Sequence, residues 1–241
     1  MLEALGRPAP DVAHLSIGGV ARMAPTRVGG WLTPSERATY DALAVAKRRR
    51  DWLAGRVAAK ELVRRRHQLG DDGYQRIRVA PVASGADRGR PRYDLDDRPG
   101  AYALSIAHSG DLGVAALAAA PGLRVGVDVE HPIDPSPGFD EVALAPTERV
   151  ALAALPTALQ RDARTRLWVV KEALVKALGT GLRVDLTDIA VPLDARGELA
   201  PGPFALRAVA GPLAALDPLA ITARTFRIGP AHGAWVVLSP C

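Results

Sequence analysis

Asp128 and Glu130, with Glu172 and Lys176, are the side chains of this sequence whose types and spacing could do chemistry. Asp128 and Glu130 alternate with Val127 and Val129, so on a strand both carboxylates fall on one face. Two carboxylates that close repel. A hard dication such as Mg2+ compensates them, because it takes oxygen ligands and keeps waters or substrate phosphates in its shell. Glu172 and Lys176 are four apart in a stretch of helical periodicity and therefore share one helix edge. Leu167, Val170, Leu174 and Leu178 form the apolar stripe of that stretch, and Gly179 stands where helices commonly stop. The set combines three carboxylates with one ammonium.

The elements that must position these groups can be read along the chain. Val12 to Ile17 reads as a strand and Gly18 to Gly30 as a loop. Thr33-Pro34-Ser35-Glu36 is a helix start, with Thr33 as cap and Glu36 three residues on; that helix is expected to run to about Lys47. A second helix is expected from Arg50 to Gln68, with Trp52, Leu53, Val57, Leu62 and Val63 inward. Arg76 to Val82 reads as a strand, and Ala83 to Gly100 as a charged loop holding Gly89-Arg90-Pro91. Tyr102 to Ala107 and Val114 to Ala119 read as paired strands joined by His108-Ser109-Gly110-Asp111. After Pro121-Gly122 the order begins again. Arg124 to Glu130 is a strand, His131 to Gly138 a Pro-rich loop, and helices follow at Thr147 to Ala154 and Leu159 to Leu178. Strands are expected at Leu186 to Pro192, Phe204 to Val209, Leu219 to Thr225 and Ala234 to Leu238. The reading is an α+β chain of two similar subdomains, residues 1–122 and 123–241. The equal spacing of Trp52 to Lys60 and Trp168 to Lys176 is a second sign of the repeat.

At 241 residues, 48% of them hydrophobic and 24% charged, the chain has the composition of a globular protein with a real core. Its one cysteine, Cys241, allows no internal disulfide, which fits a reducing compartment. Met1 to Gly6 lacks the basic-then-apolar pattern of a signal peptide. No apolar stretch reaches the ~18 residues of a membrane span. A cytoplasmic protein with no membrane partner is expected. The net charge of +5 is uneven: residues 1–122 carry +6 and residues 123–241 carry −1. Between Lys47 and Arg66 stand nine basic side chains against two acidic ones. Such a patch suits nucleic acid, a phosphorylated cofactor or an acidic protein, or is a solvated helix face.

GVDVE (Gly126 to Glu130) and WVVKEALVK (Trp168 to Lys176) resemble the signature motifs of the 4′-phosphopantetheinyl transferases. Gly89-Arg90-Pro91 and Ser105-Ile106-Ala107-His108-Ser109 fit the long, single-chain type, and the resemblance spans about residues 33–182 with the motifs in matching order. It implies two α+β halves in a pseudo-twofold arrangement with coenzyme A in the cleft between them. The implied reaction is Mg2+-dependent transfer of the phosphopantetheine arm of coenzyme A to a serine of an acidic apo acyl or peptidyl carrier protein. Adenosine 3′,5′-bisphosphate is released. Carriers of fatty-acid, polyketide and nonribosomal-peptide synthesis all present such a serine, and the protein is read as a monomer that takes no nucleic acid. On the resemblance, Asp128, Glu130 and Glu172 are the metal ligands, Glu172 the proton acceptor, and Lys176 the group that neutralises the leaving oxygen. Arg48, Arg56, Arg90 and His108 match positions that hold the coenzyme A phosphates, joined by Lys171. The sequence departs from many relatives at Ala107, where serine is common, at Trp52, where some have a small or hydroxyl residue, and at Glu36 and Thr39, which replace lysines.

Each residue has a plainer reading. Glu172 and Lys176 could be a surface ion pair, worth a few tenths of a kcal/mol. Lys171 falls on the apolar stripe, where an unpaired ammonium is costly, so a phosphate or the neighbouring half is expected beside it. His108 alone is a turn histidine, and Gly89-Arg90-Pro91 alone an ordinary turn. Two other functions use the same residues. A Mg2+-dependent nuclease or phosphodiesterase would use the carboxylates with the basic helix, although such enzymes usually space the last glutamate and lysine two apart. A non-catalytic binder of nucleotides or acidic proteins would use the patch alone.

Overall fold

Thr33 starts the first long element as its side chain dictates. Its Oγ1 accepts from the Glu36 N–H at 3.4 Å, and Glu36 Oε2 accepts from the Thr33 N–H at 2.9 Å, closing a capping box. The structure is a computed structural model, and the residues it describes are 9–16, 29–207 and 211–239. The chain divides into two compact units, Met1–Val125 and Gly126–Cys241. The expected boundary at Gly122 falls in the turn before this division. Part of the expected strand Val12 to Ile17, most of the loop after it, the end of the expected strand Phe204 to Val209, and Cys241 lie outside the described residues.

In the first unit the order is β1 (Asp11–Ser16), α1 (Pro34–Ala42), α2 (Ala46–Arg66), the short α3 (Gly73–Arg76), β2 (Ile77–Pro81), β3 (Pro91–Leu95), β4 (Arg98–Pro99), β5 (Leu104–Ser109) and β6 (Leu112–Leu117). Strands β1, β6 and β5 form an antiparallel sheet in that order, and α2 packs on it. Its core includes Ala58, Leu62, Val63, Leu104, Ala115 and Leu117.

Strand β7 (Arg124–Glu130) begins two residues before the division, and the second unit continues with α4 (Phe139–Ala143), α5 (Pro146–Ala154), α6 (Thr157–Leu178), β8 (Ile189–Ala190), β9 (Ala205–Leu206), β10 (Ile221–Ile228) and β11 (Ala231–Leu238). Strands run in the order β10-β11-β7, and α6 packs on β11 and β10. In each unit, therefore, the first strand pairs with the last and the last with the one before it. That shared order makes both units the same α+β design. Leu167, Val170, Leu174 and Leu178 are all buried, as the stripe requires, and Gly179 ends α6 at φ 75°.

Several expectations are corrected. Helix α2 begins at Ala46 rather than Arg50, and α1 stops at Ala42. The expected loop from Ala83 to Gly100 contains the hairpin β3–β4, turned at Asp96 and Asp97 with φ of 51° and 61°. Aspartate tolerates that left-handed backbone, so a two-residue turn forms without Asn-Gly. The β5–β6 connection is likewise only Gly110-Asp111, because His108 and Ser109 continue the strand. Strands β8 and β9 are two residues each, shorter than Leu186 to Pro192 and Phe204 to Val209 imply.

The Trp-to-Lys spacing is not the repeat's true register. Lys60 is fully buried and paired with Glu36, and it also donates to the carbonyls of Trp31 at 2.7 Å and Tyr74 at 2.9 Å. Its counterpart is Lys171 rather than Lys176. Lys171 is fully buried, pairs with Glu148 at 2.5 Å, and donates to the carbonyls of Ala143 at 2.8 Å and Leu186 at 2.9 Å. Each unit thus carries one buried lysine–glutamate lock between its long helix and the helix start before it.

Candidate functional site: a carboxylate cluster and a cationic pocket

In the second unit the carboxylate face of β7 is set against α6 by a glycine. A Cβ built on Gly126 would lie 1.9 Å from the Ala173 carbonyl oxygen and 2.6 Å from the Ala177 nitrogen. Only a residue without a side chain lets the strand approach the helix that closely. Gly126, Asp128 and Glu130 share one strand face, and Glu172 and Lys176 flank Ala173 on the helix. The close approach therefore brings the four polar groups together. Val127 and Val129, on the opposite face, are fully buried, and Asp128 is buried too, so both faces of β7 are covered there.

Lys176 Nζ donates to Asp128 Oδ1 at 2.6 Å, with Asp128 buried and Lys176 about one-third exposed. The ammonium is thus bound to the strand carboxylate, not in an isolated pair with Glu172. Glu172 Oε1 is buried and has no hydrogen-bond partner among the described residues. Burial, then the negative charges of Asp128 and Glu130, push the Glu172 carboxyl above the usual carboxylate range, while Lys176 pulls it down. A carboxylate so placed takes up a proton readily, as a general base at neutral pH must.

Among the described residues no group of three or more His, Cys, Asp or Glu side chains is gathered as a metal-holding cluster. The donors are nevertheless of the right kind for a hard dication. They are carboxylate oxygens only, their mutual repulsion raises Glu172, and one buried oxygen of Glu172 lacks a partner.

In the first unit Arg48, Arg56 and His108 line one cavity of about 450 Å³, with Trp52, Gly55, Gly89 and Pro91 among its other walls. Arg48 and His108 are exposed. Arg56 is half-buried with its guanidinium carbon 4.9 Å from the Trp52 ring centroid. Two cations and a histidine beside apolar walls suit a ligand with both phosphate and ring. Gly55 lets this part of α2 meet β5, since a Cβ there would lie 2.7 Å from Ile106 Cγ2.

Two expected site residues are placed elsewhere. Arg90 lines a neighbouring cavity of about 250 Å³ with Arg92 and Arg124, and Pro91 borders both. Its Nη1 is 3.1 Å from Asp87 Oδ1, which also binds Arg124 Nη2 at 2.6 Å. Burial, then the like charge of Arg124, weakens Arg90's hold on its proton. Lys171 is held in an internal lock. All three of its N–H donors are spent on the Glu148 carboxylate and two carbonyls, and none of its surface is exposed. Its expected anion is an internal glutamate. Sequence reasoning missed Glu148 as this partner and Gly126 as the spacer; the signal for Glu148 was a Pro-Thr-Glu helix start like Pro34-Ser35-Glu36.

Residues 124–210 match the family model of the 4′-phosphopantetheinyl transferase superfamily. The match falls almost wholly in the second unit, where the carboxylate cluster lies. No curated protein matches the chain. Among solved structures, the Chronobacterium ammoniagenes ACPS–CoA complex is 20% identical, with a TM-score of 0.39 over 49% of this chain and 98% of that one. The Thermotoga maritima holo-[acyl-carrier-protein] synthase is 24% identical, with a TM-score of 0.36 over 49% of this chain and 64% of that one. Likenesses at these scores add nothing to the geometry. No helix among the described residues is long and apolar enough to cross a membrane.

Proposed function

We propose that the protein transfers the 4′-phosphopantetheine arm of coenzyme A to a serine of an acidic apo acyl or peptidyl carrier protein, releasing adenosine 3′,5′-bisphosphate. The observation that carries this reading is the convergence of Asp128, Glu130, Glu172 and Lys176 where Gly126 admits α6. The serine hydroxyl attacks the phosphorus that bears the pantetheine arm, and the bond from that phosphorus to the bisphosphate leaving group breaks. Glu172, with its raised proton affinity, accepts the serine proton. Lys176, released from Asp128, neutralises charge on the leaving oxygen. Arg48, Arg56 and His108 would hold coenzyme A phosphates in the first unit's cavity; Arg90, beside it, would add charge from the neighbouring one. Asp128, Glu130 and Glu172 would hold Mg2+, which when bound supplies charge neutralisation at the pyrophosphate. Positioning and electrostatics provide most of the acceleration in transfers of this kind.

Incubation with coenzyme A, Mg2+ and an apo carrier protein tests the reading by intact mass. The carrier should gain one phosphopantetheine. An unchanged carrier mass with cleavage of added DNA would instead support the nuclease reading, and no reaction at all would leave a binder.

A further inference from the structure

Arg49, Tyr40, Trp52 and Arg56 form a ladder beside the first unit's cavity. The Arg49 guanidinium carbon is 5.5 Å from the Tyr40 ring centroid. The Tyr40 and Trp52 rings are 6.2 Å apart at 46°, and Arg56 lies 4.9 Å from Trp52. The outer end is anchored, because Arg49 donates to the Leu43 carbonyl from Nε at 3.1 Å and Nη2 at 2.6 Å. The inner end is not. Arg56 Nε is buried and, among the described residues, has no hydrogen-bond partner. Trp52 and Arg56 are four apart on α2 and share one edge, and both line the cavity.

A buried guanidinium is usually fixed by a carboxylate, which cancels its charge and occupies its donors. An aromatic face fixes it without doing either. Glu36, locked to Lys60, acts on Arg56 through its charge and not through a hydrogen bond. We infer that Trp52 is a positioning residue for Arg56, holding the guanidinium in the cavity by its ring face so that its donors stay free for a ligand phosphate. Tyr40 packs against the indole as well. The inference rests on the coenzyme A reading and deepens it, since it assigns part of the phosphate affinity to a residue that touches phosphate only through Arg56.

The test is a double-mutant cycle read by calorimetry, with coenzyme A and with inorganic pyrophosphate as probes. Trp52→Leu should weaken both by about tenfold, and Trp52→Phe, which keeps a ring face, should stay within about threefold of the parent. In an Arg56→Gln background, Trp52→Leu should cost less than about twofold more. In the transfer assay the Leu variant should raise KM for coenzyme A and leave kcat unchanged within about twofold. Additive losses, a Phe variant as weak as Leu, or a fall in kcat without a rise in KM would each overturn the inference. Should Trp52→Leu fail to fold, Tyr40→Leu carries the same cycle against Arg56→Gln. A parent protein that binds neither probe overturns the coenzyme A reading and this inference together; one that binds both with additive losses overturns this inference alone.

Discussion

Gly126 and Ala173 are in backbone contact so close that a Cβ on the glycine would overlap the alanine carbonyl oxygen, at 1.9 Å. The carboxylate strand and the helix that carries Glu172 and Lys176 are held at that separation by the absence of one methyl group. A site built this way tolerates no side chain at residue 126, whatever the chemistry of the four groups around it.

Gly126→Ala should therefore destabilise the protein by about 3 kcal/mol, the upper end of ordinary overpacking, because neither backbone can yield cheaply. Gly55→Ala is the control. Its Cβ would meet the Cγ2 methyl of Ile106 at 2.7 Å, one side-chain atom in place of helix backbone, so a smaller loss of about 1–2 kcal/mol is expected. Urea unfolding of both variants gives the comparison, and equal losses would contradict the account.

Glu172→Gln should separate stability from activity. The folded state holds the Glu172 proton more tightly than the unfolded chain, so stability is highest below the unfolded carboxylate value and falls as pH rises through the window above it. Glutamine removes that slope. Above the window the variant should be more stable than the parent, while kcat falls by about 10²–10⁴-fold through loss of the base. A fall of less than about tenfold would sink the assignment of Glu172.

Lys171→Met should cost about 3–5 kcal/mol, since it strands the buried Glu148 carboxylate. Burial pushes the Glu148 carboxyl up even with the lysine in place. Without the ammonium it rises further, so the penalty should shrink as pH is lowered and Glu148 takes up a proton. Coenzyme A affinity, measured on the folded variant, should be unchanged. A loss of affinity without loss of stability would return Lys171 to the phosphate site.

Arg48→Ala and Arg56→Ala should weaken coenzyme A binding by about ten- to a hundredfold, more than they weaken carrier binding. Arg90→Ala should cost less, because Asp87 already engages that guanidinium in the neighbouring cavity. Calorimetry on the three variants orders them, and a larger loss at Arg90 would place the phosphates in the second cavity.

The local codes of this chain were legible without coordinates. Alternation in Val127 to Glu130, the capping residues Thr33 and Glu36, the apolar stripe of α6 and its stop at Gly179 are all set by neighbours within a turn or two, and all stand in the structure. The carboxylate set was legible for the same reason, since periods of two and of four place its members on single faces. What only the tertiary structure decided depends on residues far apart in sequence. Lys171 was conspicuous as a cation on an apolar stripe, but its partner Glu148 is 23 positions away, and Lys176's partner Asp128 is 48 away. Spacing on one helix cannot tell which of two lysines turns inward to a lock and which outward to a site. That choice is made by packing: β7 comes close enough at Gly126 to bring Asp128 to Lys176, while the capping glutamate of α5 claims Lys171.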